Sequence, residues 1–235
     1  MERFRNRRDA GARLGRALSA YARHDHTIVL GLPRGGVPVA YEVATALDAA
    51  LDILVVRKLG IPGYEEIGMG AIASGGIQVV DQHVMRQLGI SPAQLRTVVE
   101  REACELARRE EAFRGSRPPL DVEGRAAIVV DDGLATGSTM VAAITALRLR
   151  APASIAVAVP VGAPAVVMAM RTHVDELVCL VMPDHLEAVG DWYDDFTQTT
   201  DDEVRALMRA RTEVQHGIHP SSDHPYRHPL ARRSH

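Results

Sequence analysis

Ala126-Ala127-Ile128-Val129-Val130-Asp131-Asp132-Gly133-Leu134-Ala135-Thr136-Gly137-Ser138-Thr139-Met140 is the stretch on which the fold turns. Ala126 to Val130 is a short apolar, β-branched run bounded by charge, and Met140 to Leu147 has an apolar helical pattern, so the segment is predicted as strand, loop, helix. Asp131 and Asp132 then stand at the carboxyl end of a buried strand. The loop after them offers glycines, hydroxyls and the unpaired N–H groups of a helix N-terminus, a combination suited to phosphate. Carboxylates repel phosphate unless something hydroxylated or cationic separates them. A sugar phosphate meets that condition: ring hydroxyls donate to Asp131 and Asp132, the phosphate settles in Ala135, Thr136, Gly137, Ser138 and Thr139, and a divalent cation offsets the remaining charge. A plain helix cap needs one polar residue, not six polar or glycine positions. A Walker loop fails because no Lys follows Gly137.

The composition agrees with an α/β enzyme. The 235 residues are 46% hydrophobic but only 4% aromatic, so the core is built from Ala, Val, Leu and Ile, as alternating helices and parallel strands require. That length suits one well-buried domain. A net charge of −3 disfavours a dedicated nucleic-acid binder. Cys104 and Cys179 lack metal-type spacing and are expected as buried free thiols in a reducing cytoplasm. No stretch approaches a membrane span, and the N-terminus lacks a signal-peptide pattern.

Outward from the central loop, the chain alternates. A leading helix is predicted within 4–23, then a strand at 27–30, a helix at 37–47 and a second strand at 51–56. The glycine-rich stretch 60–68 breaks the rhythm, and Gly75-Gly76 joins a hairpin of 69–74 and 77–80. Ser91-Pro92 opens a helix reaching about Phe113. Strands at 126–130, 154–159 and 176–181 alternate with helices at 139–148 and 163–171, and Thr200 and Glu203 have capping-box spacing for a helix over 201–211. One domain is expected over 1–212, followed by a disordered His- and Pro-rich tail over 213–235.

Two further segments can hold anions. Gly31-Leu32-Pro33-Arg34-Gly35-Gly36 follows the first strand, so Arg34 and the Gly35 and Gly36 backbone can converge on one. Arg57 and Lys58 follow the second strand, ahead of a glycine-rich loop able to close over a reacting centre. A third segment, 182–196, places Trp192, Tyr193 and Phe196 beside carboxylates just past a strand end. Such a hood can stack on a planar base or simply pin the C-terminal segment to the core.

The run Val130 to Met140 resembles the phosphoribosyl-pyrophosphate (PRPP) signature of the type I phosphoribosyltransferases, especially the adenine-type version with its Asp-Asp, two residues, Ala-Thr-Gly, one residue, Thr-Met. The 31–36 loop is similar to that family's pyrophosphate loop, with Pro33 where Ser is common. Val56-Arg57-Lys58 is similar to the segment before the mobile loop, and 182–196 to the hood of hypoxanthine-type enzymes. The resemblance implies a Rossmann-like open, mainly parallel sheet flanked by helices, a small hood from 1–24 and 182–200, and a β-hairpin flexible loop over about 59–81. It implies a Mg2+-dependent pentosyltransferase of nucleotide salvage, moving 5-phosphoribosyl from PRPP to a nucleobase, with a purine favoured. Asp131, Asp132 and Arg57 would be catalytic. Arg34, Gly35, Gly36, Arg57 and Lys58 would bind pyrophosphate, and Leu186, Val189 and Trp192 the base. Mg2+ would enter through PRPP, with Asp131 and Asp132 the carboxylates within its reach. No membrane or nucleic-acid partner is implied, and a homodimer is left open. A PRPP-sensing regulator, including a nucleic-acid-binding protein of the same fold, and a PRPP hydrolase remain as alternatives.

Overall fold

A computed structural model describes residues 3–22, 26–115, 117–119 and 121–215. Five parallel strands form the central sheet: β1 (Thr27–Gly31), β2 (Ala50–Ile53), β6 (Ala126–Val130), β7 (Ser154–Val161) and β8 (Glu176–Val181), in the order β2-β1-β6-β7-β8. Three more, β3 (Val56–Ile61), β4 (Tyr64–Ala73) and β5 (Ile77–Val80), make a separate antiparallel sheet.

The strands are apolar on both faces because both faces are covered. Val29, Ile128, Val130, Ala156 and Ala158 point into a core shared with α1 (Arg7–Ala17), α2 (Gly36–Leu47), α4 (Pro92–Arg114) and α7 (Asp201–Gln215). Ile28, Leu30, Ala127, Val129 and Val157 point the other way, toward α5 (Ser138–Arg148) and α6 (Pro164–Met170). The remaining helix, α3 (Gln82–Gln87), links β5 to α4.

Ser91 closes a capping box with Gln94 at the start of α4. At the other end of α4, Arg114 is buried against Asp52 at 3.0 Å and donates to the Ile53 carbonyl, which ties the helix to β2.

Three expectations need correction. The second parallel strand stops at Ile53: the Leu54 N–H makes the last ladder bond, to the Gly31 carbonyl, and Val55 exchanges hydrogen bonds with Ser74 instead, so Arg57 and Lys58 lie on β3 of the antiparallel sheet. The stretch 60–68 is paired in β3 and β4 across register shifts at Leu59, Gly60 and Ile61, rather than a plain loop. Finally, α7 runs on through Gln215, so residues 213–215 are helical where a disordered tail was expected. The rest of that tail lies outside the described residues.

Candidate functional site

The strand order reverses between β1 and β6, and in such sheets the loops leaving the carboxyl ends at the reversal enclose a crevice. Gly31 pairs with Val130, so the 31–36 loop and the Asp131-Asp132 loop emerge side by side. Their approach is so close that only glycine fits. A β-carbon on Gly36 would lie 2.7 Å from the Val130 carbonyl oxygen, and one on Gly35 would overlap the Asp132 carboxylate. Gly35 has φ −60°, an ordinary value for any residue, so space rather than torsion demands the glycine.

Asp132 is held from three directions. Arg7 Nε donates to Asp132 Oδ2 at 2.8 Å, the Tyr193 hydroxyl donates to the Asp132 carbonyl at 2.6 Å, and the Asp132 N–H donates to Asp131 Oδ1 at 2.9 Å. Burial, then the neighbouring Asp132 charge, push the Asp131 carboxyl well above the usual carboxylate range. Burial and Asp132 likewise raise Tyr193, keeping its hydroxyl a neutral donor.

In the following loop the apolar residues anchor and the polar ones face out. Leu134 is buried and bridges to Gly162, and Met140 is buried in α5. Gly137 sits at φ +75°, where L side chains are strained. Ala135, Thr136, Ser138 and Thr139 are exposed between these anchors. Gly137 provides no side-chain cap to α5, so the first-turn N–H groups remain available to an anion beside the Thr136 and Ser138 hydroxyls.

The cations are already engaged. Arg34, next to a cis peptide bond from Pro33, pairs with Asp201 at 3.5 Å with both side chains well exposed. Such a pair is weak and exchanges readily for a phosphate oxygen. Arg57 donates from Nε and Nη2 to Glu102 Oε2, at 2.9 and 2.7 Å, which leaves Nη1. Lys58 donates to the Glu66 carbonyl at 2.9 Å within the β3–β4 hairpin.

The three candidate base-binding residues fall together. Leu186, Val189 and Trp192 are half-buried around a cluster of Phe4, Ala10, Val161 and Tyr193. Phe4 pairs with Tyr193 and accepts the chain at Trp192, donating its N–H to the Trp192 carbonyl at 2.9 Å. Trp192 and Leu186 thus help pin the hood, whereas Val189 lies directly on Gly133, beside the acidic pair.

Sequence reasoning missed Arg7, Tyr193 as a donor to the acidic loop, and the partners Glu102 and Asp201. Each pairing spans tens of residues or more, and no local pattern marks it. A cavity of about 370 Å³ lies behind Arg7, between α1, α2 and α7, with Tyr41, Thr197 and Leu207 in its wall. None of the three anion-binding segments lines it. Among the described residues no group of three or more His, Cys, Asp or Glu could hold a metal, and no helix is long and apolar enough to cross a membrane. Both cysteines are free, but neither is buried as expected: Cys104 lies on the exposed face of α4 and Cys179 on β8 is half-buried.

Comparison with known proteins gives the same direction. The model of the phosphoribosyl transferase domain matches residues 5–197. Two Mycobacterium tuberculosis proteins, from strains CDC 1551 and H37Rv, each named "Putative phosphoribosyl transferase", are 44% identical over 208 residues. That alignment covers 88% of this chain and 47% of theirs, so the chain spans about half the length of these curated relatives. A crystal structure from Thermus thermophilus shares 40% identity at a TM-score of 0.79, covering 88% of this chain and 97% of that one.

Proposed function

Because the chain belongs to the phosphoribosyltransferase family, we propose that it transfers 5-phosphoribosyl from PRPP to a nucleobase and releases pyrophosphate. One observation carries the reading: at the strand-order reversal, a paired carboxylate and a glycine-walled anion loop meet a second anion loop at the start of α5. That spacing suits a sugar carrying phosphates at both ends.

Exposed Thr136, Ser138 and Thr139 and the first-turn N–H groups of α5 take the 5′-phosphate, with Ala135 and Gly137 shaping the loop. Asp131 and Asp132 accept the ribose 2′- and 3′-hydroxyls. Arg34 leaves Asp201 for the pyrophosphate, joined by the Gly35 and Gly36 backbone, Arg57 Nη1 and Lys58. As the C1–oxygen bond breaks, positive charge grows on the ribosyl ring, and the carboxylates nearby stabilise it. A ring nitrogen of the base forms the new C1–N bond and loses its proton, while the bond electrons leave with pyrophosphate.

The donor set fits Mg2+ held chiefly through the substrate. Two carboxylates with no third His, Cys, Asp or Glu ligand among the described residues make a poor protein cage but a reasonable partner for a cation already on a pyrophosphate. When bound, Mg2+ supplies charge neutralisation on the leaving group. Val189, against Gly133, together with Leu186 and Trp192 shapes the acceptor side, where a planar base is expected and a purine favoured. Two free thiols suit action in a reducing cytoplasm, in nucleotide salvage.

The test is incubation of labelled PRPP and Mg2+ with a panel of purine and pyrimidine bases. Base-dependent release of pyrophosphate and appearance of a nucleotide support transfer. Release without any base points to hydrolysis, and binding without release to a PRPP sensor.

A further inference from the structure

Asp132 is not left to find its own orientation. The Arg7 guanidinium reaches it from α1, and the side chains are only 11% and 17% exposed, so the pair is shielded from water. Arg7 itself is fixed by two other contacts. Its Nη1 donates to the Thr197 carbonyl at 2.8 Å, and its guanidinium carbon lies 3.8 Å from the centroid of the Phe196 ring. Asn6 caps α1 by accepting from the Asp9 N–H, which sets where the helix, and so Arg7, begins.

We propose that Arg7 is the positioning residue for Asp132, holding Oδ2 so that Oδ1 is presented to a ribose hydroxyl. The inference rests on the reading of this loop as a PRPP site. Geometry favours it in three ways. The guanidinium has five donors in a planar fork, so one can serve Asp132 while another stays on Thr197. The Thr197 and Phe196 contacts do not involve Asp132, so Arg7 stays in place when the sugar arrives. Finally, Asp132 Oδ2 occupies the space a β-carbon at residue 35 would take, so the carboxylate lies directly against the pyrophosphate loop and its orientation matters to both. Arg7 also places a positive charge 2.8 Å from one of two adjacent carboxylates.

An oriented carboxylate is felt in donor binding before acceptor binding. Arg7→Met keeps an unbranched apolar side chain and removes the charged fork; Arg7→Lys keeps the charge on a single nitrogen and loses the planar fork. Calorimetric titration of PRPP with Mg2+ into wild type, Arg7→Met, Arg7→Lys, Asp132→Asn and the Arg7→Met/Asp132→Asn double variant separates the roles. We expect Arg7→Met to weaken PRPP by about tenfold or more, the size of losing one charge-assisted hydrogen bond. Arg7→Lys should recover part of the loss. The double variant should bind no worse than Asp132→Asn, because a residue acting through Asp132 has nothing further to lose. A double variant weakened by the product of the two single losses would overturn the proposal, as would Arg7→Met binding like wild type. Ligand-free melting of each variant identifies one that binds weakly only because it is unfolded, and Arg7→Lys then carries the comparison. Wild-type protein that does not bind PRPP removes the site reading and this inference with it, a result distinct from additivity in a wild type that binds.

Discussion

Gly35 and Asp132, 97 positions apart in the chain, approach so closely that any β-carbon at 35 would overlap the carboxylate Oδ2. The Gly35 backbone is in the right-handed helical region, so its torsions suit alanine and the closest atoms a β-carbon would meet are those of the Asp132 carboxylate. Gly35→Ala should therefore leave the fold nearly intact and displace the Asp132 carboxylate. Expected are a melting temperature close to wild type and a loss of PRPP affinity of about tenfold or more, by calorimetry. Unchanged affinity would show that Asp132 does not meet the donor.

The acidic pair is stressed without ligand. A carboxyl whose pKa is raised on folding binds more protons in the folded than in the unfolded state, so stability falls as pH rises from the ordinary carboxylate range through the raised value. Asp131→Asn keeps Oδ1 as acceptor for the Asp132 N–H and removes the charge. The variant should melt above wild type near neutral pH, by about 2–4 °C for each kcal/mol of relieved repulsion. The gain should shrink as pH falls through about 4, and vanish below it, where wild-type Asp131 becomes protonated in both states. Thermal melts across pH check this, and the same variant should fail to make nucleotide. Asp131→Asn melting below wild type at neutral pH would contradict a destabilised site.

Away from the site, Arg114 and Asp52 form a buried ion pair, each side chain 5% exposed. Arg114→Met takes from the buried Asp52 charge a partner at 3.0 Å, and from the Ile53 carbonyl its donor, so it should cost about 3–5 kcal/mol in chemical denaturation. Arg114→Met with Asp52→Leu should recover part of that, since the buried Asp52 charge goes with its partner, while the Ile53 N–H loses its acceptor. Equal loss in the single and double variants would mean that packing, not charge, dominates.

Gly133 and Val189 join the donor loop to the hood. A β-carbon on Gly133 would overlap the Val189 side chain, so Gly133→Ala should push the hood outward. Steady-state kinetics should show KM for the base rising by about tenfold, with KM for PRPP changed by less than about twofold. The opposite pattern would place Val189 on the donor side.

How much of this the sequence discloses depends on whether the cause is local. Strand Ala126–Val130 is legible to the residue because Arg125 and Asp131 bound an unbroken apolar run. The phosphate loop is legible because its glycine, hydroxyls and helix start are consecutive. The end of β2 is hidden: Leu54 and Val55 are as apolar as a strand requires, yet they are buried by the turn into the second sheet. The β3–β4 pairing is masked by Gly60, which is glycine because Glu65 backbone crosses close by, a cross-strand constraint that resembles a loop signal. Helix α3 is too short, at 6 residues, to show a period. Arg7 and Asp132 are 125 residues apart, and nothing in either neighbourhood announces the pair.

The central claim is that Asp131 and Asp132 bind the ribose of PRPP. Calorimetric titration of PRPP with Mg2+ into wild-type protein and into Asp131→Asn/Asp132→Asn tests it most directly, with the melting curve of each protein as the control for folding. The account predicts saturable binding to the wild type and none to the folded double variant. Equal binding to both, or no binding to the wild type, would contradict it.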